Sequence, residues 1–122
     1  MVDTITPLSL QTDARTTAAY ATLSRDHNPL HLDAAFAAKT PFGQPIIHGA
    51  MALDLLMNAV EATLGQPGGE NLSVRFSAPV KVGERITAGG EWNSDGYDIW
   101  VRKDDGTDVI TGRLTLGADA NA

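Results

Sequence analysis

The 122-residue sequence contains no cysteine, and this absence excludes several kinds of chemistry. A disulfide framework, a thiolate nucleophile and a zinc or iron–sulfur site with cysteine ligands all need a residue that the chain does not have. A chain without cysteine is compatible with a reducing compartment. We therefore expect the protein to be cytoplasmic.

Basic residues are also few: nine Lys and Arg stand against fifteen Asp and Glu, which gives a formal net charge of −6. Proteins that bind nucleic acid usually carry a basic stripe for the phosphate backbone, and this sequence has none. We therefore expect no nucleic-acid partner. The charge does not exclude a small phosphate-bearing molecule, because a few local basic side chains can bind phosphates on an acidic protein.

Long apolar runs are missing as well: the longest have a few residues, whereas a helix that spans a bilayer needs about 20. The first ten residues, MVDTITPLSL, also lack the charged and then apolar pattern of a secretion signal. We expect neither membrane insertion nor secretion. With 43% hydrophobic and 20% charged residues, the composition is that of a globular protein. We expect one domain over 1–122, with about 118–122 as a frayed tail.

Two short helices are predicted in the first third of the chain. Asp13 can cap a helix that runs to about residue 24, and Asp33 can cap a second helix that ends at Thr40, just before a proline. The segment between them, RDHNPLHL, is predicted to be irregular because Pro29 bars a continuous helix.

The longest predicted helix is Gly49–Leu64, with the pattern GAMALDLLMNAVEATL. It is apolar on most faces, which indicates a buried helix. Asp54, Asn58 and Glu61 follow one another at helical spacing and form a narrow polar stripe. We expect this stripe to face solvent or a partner chain.

After residue 68 the sequence predicts antiparallel strands, because apolar and polar residues alternate with a period of two. The strands are NLSVRFSA, ERITAGGEW, YDIWVRK and DVITGRLTL, and a short strand at the N-terminus can join them. A long apolar helix followed by four strands predicts an α+β domain in which a curved antiparallel sheet wraps around the helix. This arrangement is called a hot-dog fold.

The residues best suited to catalysis or binding are concentrated in the first 50 residues and include all three histidines. They are Asp26, His27, Asn28, His31, His48 and Gly49. A carboxylate and an imidazole can together hold one water molecule and move its protons. In a helix Asp26 and His31 would point about 140° apart, but the turn that Pro29 imposes lets them converge.

Asn28 can orient the Asp26 carboxylate, and Gly49 offers a backbone N–H at the start of a helix, where a substrate oxyanion is stabilised. Each of these residues also has a purely structural interpretation. An Asp–His neighbourhood is often a turn or capping network, Gly49 can be a structural glycine, and His48 can be a hydrogen-bonded surface residue. His27 is interpreted as packing or surface.

The segments SRDHNPLHLD (24–33) and PFGQPIIHGA (41–50) resemble the signature of the MaoC-like hydratases and dehydratases. That signature is Asp-x-Asn-Pro-x-His, followed by a His-Gly pair that opens the central helix. The resemblance implies that Asp26 and His31 are catalytic, that Gly49 supplies the oxyanion donor, and that Asn28 belongs to the substrate site. Many relatives have Met where this chain has Ala50, a difference that bears on acyl-chain preference.

The resemblance further implies reversible syn hydration of a trans-2-enoyl thioester, usually carried by coenzyme A, to the (R)-3-hydroxyacyl product. It implies no metal and no redox cofactor. A dehydratase acting on acyl carrier protein, a hot-dog thioesterase and a non-catalytic acyl-thioester-binding protein are the alternatives. Four basic residues are candidates for the coenzyme A phosphates, but each is readily explained as a solvated charge, and none is assigned: Lys39, Arg75, Lys81 and Arg85.

A homodimer is also expected. A sheet of about five strands around one helix leaves an exposed edge, which natural proteins cover or pair. In hot-dog proteins two chains commonly pair edge to edge, and the resemblance implies that the acyl tunnel lies at this interface.

Overall fold

The computed structural model describes residues 2–65 and 71–115. Over these residues the chain forms nine helices and strands, and their order confirms the predicted succession of a helical half and a strand half. They are β1 (Thr4–Gln11), α1 (Ala14–Ser24), α2 (Pro29–Leu32), α3 (Ala34–Ala38), α4 (Gly49–Leu64), β2 (Asn71–Phe76), β3 (Arg85–Asn93), β4 (Gly96–Lys103) and β5 (Asp108–Thr115).

The five strands form one antiparallel sheet in the order β1-β3-β4-β5-β2. Alternate residues of the central strands, such as Ile86, Ile99 and Ile110, are fully buried. They form one hydrophobic core with the apolar side of α4, where Leu56 is also fully buried. The sheet therefore packs around α4, and the predicted α+β arrangement is confirmed.

Helix α4 has the predicted bounds. Gly65 ends it with a positive φ of 79°, a conformation that glycine adopts without the steric cost that a Cβ would bring. The polar stripe of Asp54, Asn58 and Glu61 is exposed, as expected. The rest of the helix faces the sheet, because burial of its broad apolar surface removes that surface from water.

The first helices follow their predicted caps, with one difference. The Asp13 carboxylate accepts the N–H of Thr16 at 2.6 Å and caps α1, and Asp33 accepts the N–H of Phe36 at 3.1 Å and caps α3. The segment predicted to be irregular contains the short helix α2, which begins at Pro29. Proline is well suited to this first position, because its fixed φ is helical and the missing N–H would have no helical partner.

The strands lie within two residues of their predicted bounds. The N-terminal strand, predicted to be short, has eight residues. Leu116, which was included in the last predicted strand, and the expected frayed tail at 118–122 lie outside the described residues. No helix in 2–65 or 71–115 has the length and apolar character that crossing a membrane requires.

Candidate active site

Asp26 lies in the turn between α1 and α2, and the turn itself orients its carboxylate. Arg25 ends α1 in the left-handed conformation, with φ 62°. The backbone N–H of Asn28 then donates to Oδ1 of Asp26 at 3.2 Å. The side chain is 52% exposed. One carboxylate oxygen is thus held by the backbone, which leaves Oδ2 directed towards the histidines.

Asn28 serves this turn in a different way from the one expected. Its side-chain oxygen accepts the N–H of Leu30 at 2.9 Å and caps α2. The contact that orients Asp26 comes from the backbone N–H of Asn28, and the amide side chain organises the helix that presents His31. The assignment of Asn28 to the substrate site stays a prediction.

His31 is presented by α2 with its two ring nitrogens in different environments. Nδ1 lies 2.8 Å from the carbonyl oxygen of Ile46. A carbonyl oxygen can only accept, so Nδ1 carries the hydrogen, and in the neutral ring Nε2 keeps its lone pair. Nε2 lies 3.9 Å from Oδ2 of Asp26. A water molecule between these two atoms can form a hydrogen bond with each of them.

His48 is buried beside this pair, so its interpretation as a surface residue is wrong. Its side chain is 3% exposed, and Nε2 lies 2.9 Å from the backbone carbonyl oxygen of Asp26. Its ring stacks on that of His31, with centroids 3.9 Å apart and planes 25° from parallel. The ring of Tyr20 also packs against that of His48, with the two centroids 5.1 Å apart. The burial of His48 was not predicted from the sequence, although its place immediately before the helix-opening glycine was a signal.

Tyr20 joins α1 to α4 next to the histidines. Its hydroxyl donates to Oδ2 of Asp54 at 2.8 Å. Burial of the ring, together with this hydrogen bond and the negative charge of Asp54, raises the pKa of Tyr20 to about 12. The phenol therefore stays protonated near neutral pH and keeps donating to Asp54.

Gly49 is the first residue of α4, where a backbone N–H has no partner within the helix. A Cβ placed on it would lie 3.5 Å from Cε1 of Phe76, which is an ordinary van der Waals contact. Gly49 also lines a mainly apolar cavity of about 380 Å³, together with Phe42, Ile46 and Phe76. Asp26 and His31 are not part of its lining, but Ile46 connects the two places because its carbonyl oxygen binds His31.

Asp26, His31 and His48 also bring three potential metal-ligand atoms within 4.8 Å of one another. Two features of the geometry oppose a shared ion. The nitrogen lone pairs lie in the planes of two stacked rings, so both rings would have to tilt towards a common point. Nε2 of His48 is also engaged with the Asp26 carbonyl. The absence of a metal stays a prediction.

The other residues considered in the sequence lie outside this cluster. His27 is exposed, although it is next to Asp26 in the chain. The four basic candidates for a phosphate are exposed as well: Lys39, Arg75, Lys81 and Arg85. The structure thus brings together Asp26 and His31, adds His48, and places Gly49 directly after His48.

Comparison with known sequences finds proteins to which this chain is related. Residues 3–118 match the family described as MaoC like domain. An (R)-specific enoyl-CoA hydratase of Aeromonas caviae is 45% identical over 83 residues, which are 66% of this chain and 62% of the relative. A 3-hydroxybutyryl-CoA dehydratase of Methylorubrum extorquens is 38% identical over 69 residues, which are 55% of this chain and 44% of the relative. The matches thus span less than two thirds of either relative.

Solved structures superpose over nearly the whole chain. An (R)-hydratase from A. caviae involved in PHA biosynthesis has a TM-score of 0.78 at 33% identity, over 95% of this chain and 96% of that one. The unliganded R-hydratase PhaJ1 from Pseudomonas aeruginosa has a TM-score of 0.80 at 27% identity, over 96% of this chain and 82% of that one. These superpositions confirm the predicted hot-dog fold.

Proposed function

The chain belongs to the MaoC-like domain family, and from that premise we propose that it is an (R)-specific enoyl-CoA hydratase. It adds water reversibly to a trans-2-enoyl thioester and forms the (R)-3-hydroxyacyl thioester. The observation that carries this proposal is the 3.9 Å separation between Nε2 of His31 and Oδ2 of Asp26. Similarity to a hydratase and to a dehydratase of coenzyme A thioesters supports it, since these are two directions of one reaction.

In the proposed reaction Asp26 and His31 hold one water molecule and carry one exchangeable proton between them. The water oxygen forms a bond to Cβ, one catalytic group takes a proton from the water, and the other gives its proton to Cα. His31 exchanges its proton at Nε2, because Nδ1–H is bound to the carbonyl of Ile46. The reaction neither oxidises nor reduces the substrate overall, so it needs no redox cofactor.

Gly49 supplies the second element of the proposed mechanism. As the water oxygen bonds to Cβ, negative charge develops on the thioester oxygen until Cα is protonated, and the N–H of Gly49 at the start of α4 donates to that oxygen. A single donor of this kind is worth about 3 kcal/mol in the transition state. The apolar cavity beside Gly49 provides space for an apolar part of the substrate.

The experiment is turnover on a panel of trans-2-enoyl-CoA thioesters, followed by loss of the enoyl absorbance and by chiral analysis of the product. The (R)-alcohol is expected. The (S)-alcohol would overturn the assignment, and the absence of hydration together with thioester binding would favour a non-catalytic binding protein. Release of free thiol would indicate a thioesterase. Faster turnover on acyl carrier protein would indicate the alternative dehydratase.

We further propose that the working unit is a homodimer joined along the free edge of β2. Leu72 and Phe76 on this strand are 41% and 53% exposed, and β2 contains no proline. At the other edge, β1 has Pro7 and a shift of register between Ile5 and Leu8. A proline and an irregularity make an edge unsuitable for pairing, so β2 is the better edge. Phe76 of β2 also lines the cavity at Gly49. A partner chain paired at this edge would complete that cavity.

We also propose the cytoplasm as the compartment, with which a sequence without cysteine is compatible.

A further inference from the structure

We propose that His48 is a positioning residue. It fixes the positions of Asp26 and His31 relative to each other and to the N–H of Gly49. The proposal rests on the proposed function, because the pair that His48 orders is the pair proposed to activate water. Nε2 of His48 lies 2.9 Å from the backbone carbonyl oxygen of Asp26 and 4.0 Å from Oδ2 of its carboxylate, so the hydrogen bond is to the backbone.

The hydrogen bond to the Asp26 carbonyl fixes the form of the His48 ring. A carbonyl oxygen can only accept, so the hydrogen lies on Nε2 of His48. Nδ1 is buried and finds no hydrogen-bond partner among the residues that the structure describes. A bare lone pair at Nδ1 leaves one acceptor unused, whereas a hydrogen there would be a buried donor without an acceptor, which is costly. The Nε2–H tautomer is therefore the one that fits the site.

The ring of His48 also restricts His31. The two imidazoles are stacked at 3.9 Å, and Nδ1–H of His31 is bound to the carbonyl of Ile46. A stack on one face and a hydrogen bond at one nitrogen leave His31 little freedom to turn. Nε2 of His31 is thereby kept towards Asp26, whose half-exposed side chain lies in a turn outside any helix or strand.

The place of His48 in the chain adds a third connection. It is the N-cap residue of α4, and Gly49 is the first residue of that helix. His48 therefore connects the turn that holds Asp26 to the start of the helix that presents the proposed oxyanion donor. Without this connection, Asp26 and His31 would no longer be held at a fixed distance from the N–H of Gly49, and the substrate could not engage all three groups at once. A displacement of about 1 Å can cost about a hundredfold in rate.

Two substitutions separate the hydrogen bond from the bulk of the ring. In His48→Gln the amide nitrogen occupies about the position of Nε2 and can still donate to the Asp26 carbonyl. In His48→Phe the aromatic ring remains and the donor is lost. We expect kcat to decrease in the order wild type, His48→Gln, His48→Phe, with at least about a tenfold loss in the last and KM within about twofold.

The matched control is Ile99→Val, a core substitution in β4 at a fully buried residue. It should lower the stability by about 1 kcal/mol without a change in kcat. This control separates loss of stability from loss of positioning. A His48→Phe enzyme with kcat within twofold of the wild type, or at least as active as His48→Gln, would overturn the proposal.

A measurement on the unliganded protein tests the geometry without any turnover. Nitrogen-15 correlation spectra of the imidazoles in their neutral form should show His48 as the Nε2–H tautomer. His31 should be the Nδ1–H tautomer, and the exposed His27 serves as an internal reference. An Nδ1–H tautomer at His48 would overturn the proposal even if His48→Phe does not fold.

The kinetic and the spectroscopic experiments distinguish failure of the proposed function from failure of the positioning role. If the wild type does not hydrate any enoyl thioester, the proposed function is wrong, and the spectra still decide whether His48 holds the Asp26 turn. If the wild type is an active hydratase and His48→Phe is unimpaired, the proposed function stands and the positioning role is wrong.

Discussion

Nε2 of His31 lies 3.9 Å from Oδ2 of Asp26, while Nδ1 of the same ring lies 2.8 Å from the carbonyl oxygen of Ile46. The first distance exceeds a direct hydrogen bond and suits a bridging water, whereas the second is a normal hydrogen bond. One nitrogen therefore orients the ring, and the other is available for chemistry. This division of roles determines which substitutions test the site.

Asp26→Asn and His31→Asn should each lower the rate of hydration by at least about a hundredfold, within the range for acid–base groups. Asparagine at position 26 keeps an oxygen for the N–H of Asn28. Asparagine at position 31 places its amide nitrogen about where Nδ1 was and can still donate to Ile46. Each variant therefore removes a reacting atom and keeps the local hydrogen bond. The measurement is steady-state kinetics on an enoyl-CoA substrate.

Unfolding of both variants by urea should have nearly the wild-type midpoint, which shows that the loss is chemical. His27→Asn is the matched control, because His27 is exposed and adjacent to Asp26, and it should retain wild-type turnover. Near-normal hydration by either the Asp26 or the His31 variant would remove that residue from the proposed mechanism.

Gly49→Ala should lower kcat/KM by at least about tenfold, equivalent to about 1.4 kcal/mol, and leave the fold intact. The new Cβ would lie 3.5 Å from Phe76, which the packing tolerates, and alanine is a better helix former than glycine. The expected loss comes from obstruction of the thioester oxygen at the helix start. An unchanged kcat/KM would show that the substrate does not approach Gly49 closely.

The central helix and the strands were predictable from the sequence because their signals are local. Apolar periodicity and turn residues gave α4 its bounds, and the capping residue Asp13 gave the start of α1. The burial of His48 was not predictable in this way. It depends on contacts with Tyr20 and with the Asp26 carbonyl, 28 and 22 positions away, and such contacts leave no periodic pattern.

Two other features depend on the three-dimensional arrangement of the chain. Pro29 bars a continuous helix through its segment, as predicted, but a proline is also compatible with the first position of a new helix, as in α2, and this second possibility was not predicted. In β2, the alternation of Leu72, Val74 and Phe76 predicted a strand but not its exposure. That exposure follows from the place of β2 at the edge of the sheet, which the strand order alone decides.

Leu72→Lys should convert the proposed homodimer into monomers, because it places a charge on the edge strand at which the two chains are proposed to pair. Leu8→Lys is a matched control on the opposite edge strand: Leu8 and Leu72 are 37% and 41% exposed. Light scattering over a dilution series should give about twice the 12.9 kDa chain mass for the wild type and the control. A dimer disrupted by Leu8→Lys and not by Leu72→Lys would place the interface at β1.

Tyr20→Phe should destabilise the protein by about 1 kcal/mol near neutral pH, since it removes the hydrogen bond from Tyr20 to Asp54 that joins α1 to α4. The pKa of Tyr20 is raised from 10.0 to about 12, chiefly by burial and then by its hydrogen bond to Asp54. A raised pKa in the folded state means that the neutral phenol is the stabilising form. Its contribution is fully present below pH 10 and is lost as the pH rises through about 12.

The measurement is the difference in unfolding free energy between the wild type and Tyr20→Phe, from urea titrations between pH 7 and 12. The raised pKa of Tyr97, caused by burial and by the charge of Asp3, is common to both proteins and cancels in the difference. Asp54→Asn is the control: its side-chain oxygen can still accept from Tyr20, and the negative charge is gone, so it should lose less stability near neutral pH. The wild-type advantage should disappear between about pH 10 and 12, whereas a difference that stays constant to pH 12 would show that the Tyr20 hydroxyl is not coupled to the fold through Asp54.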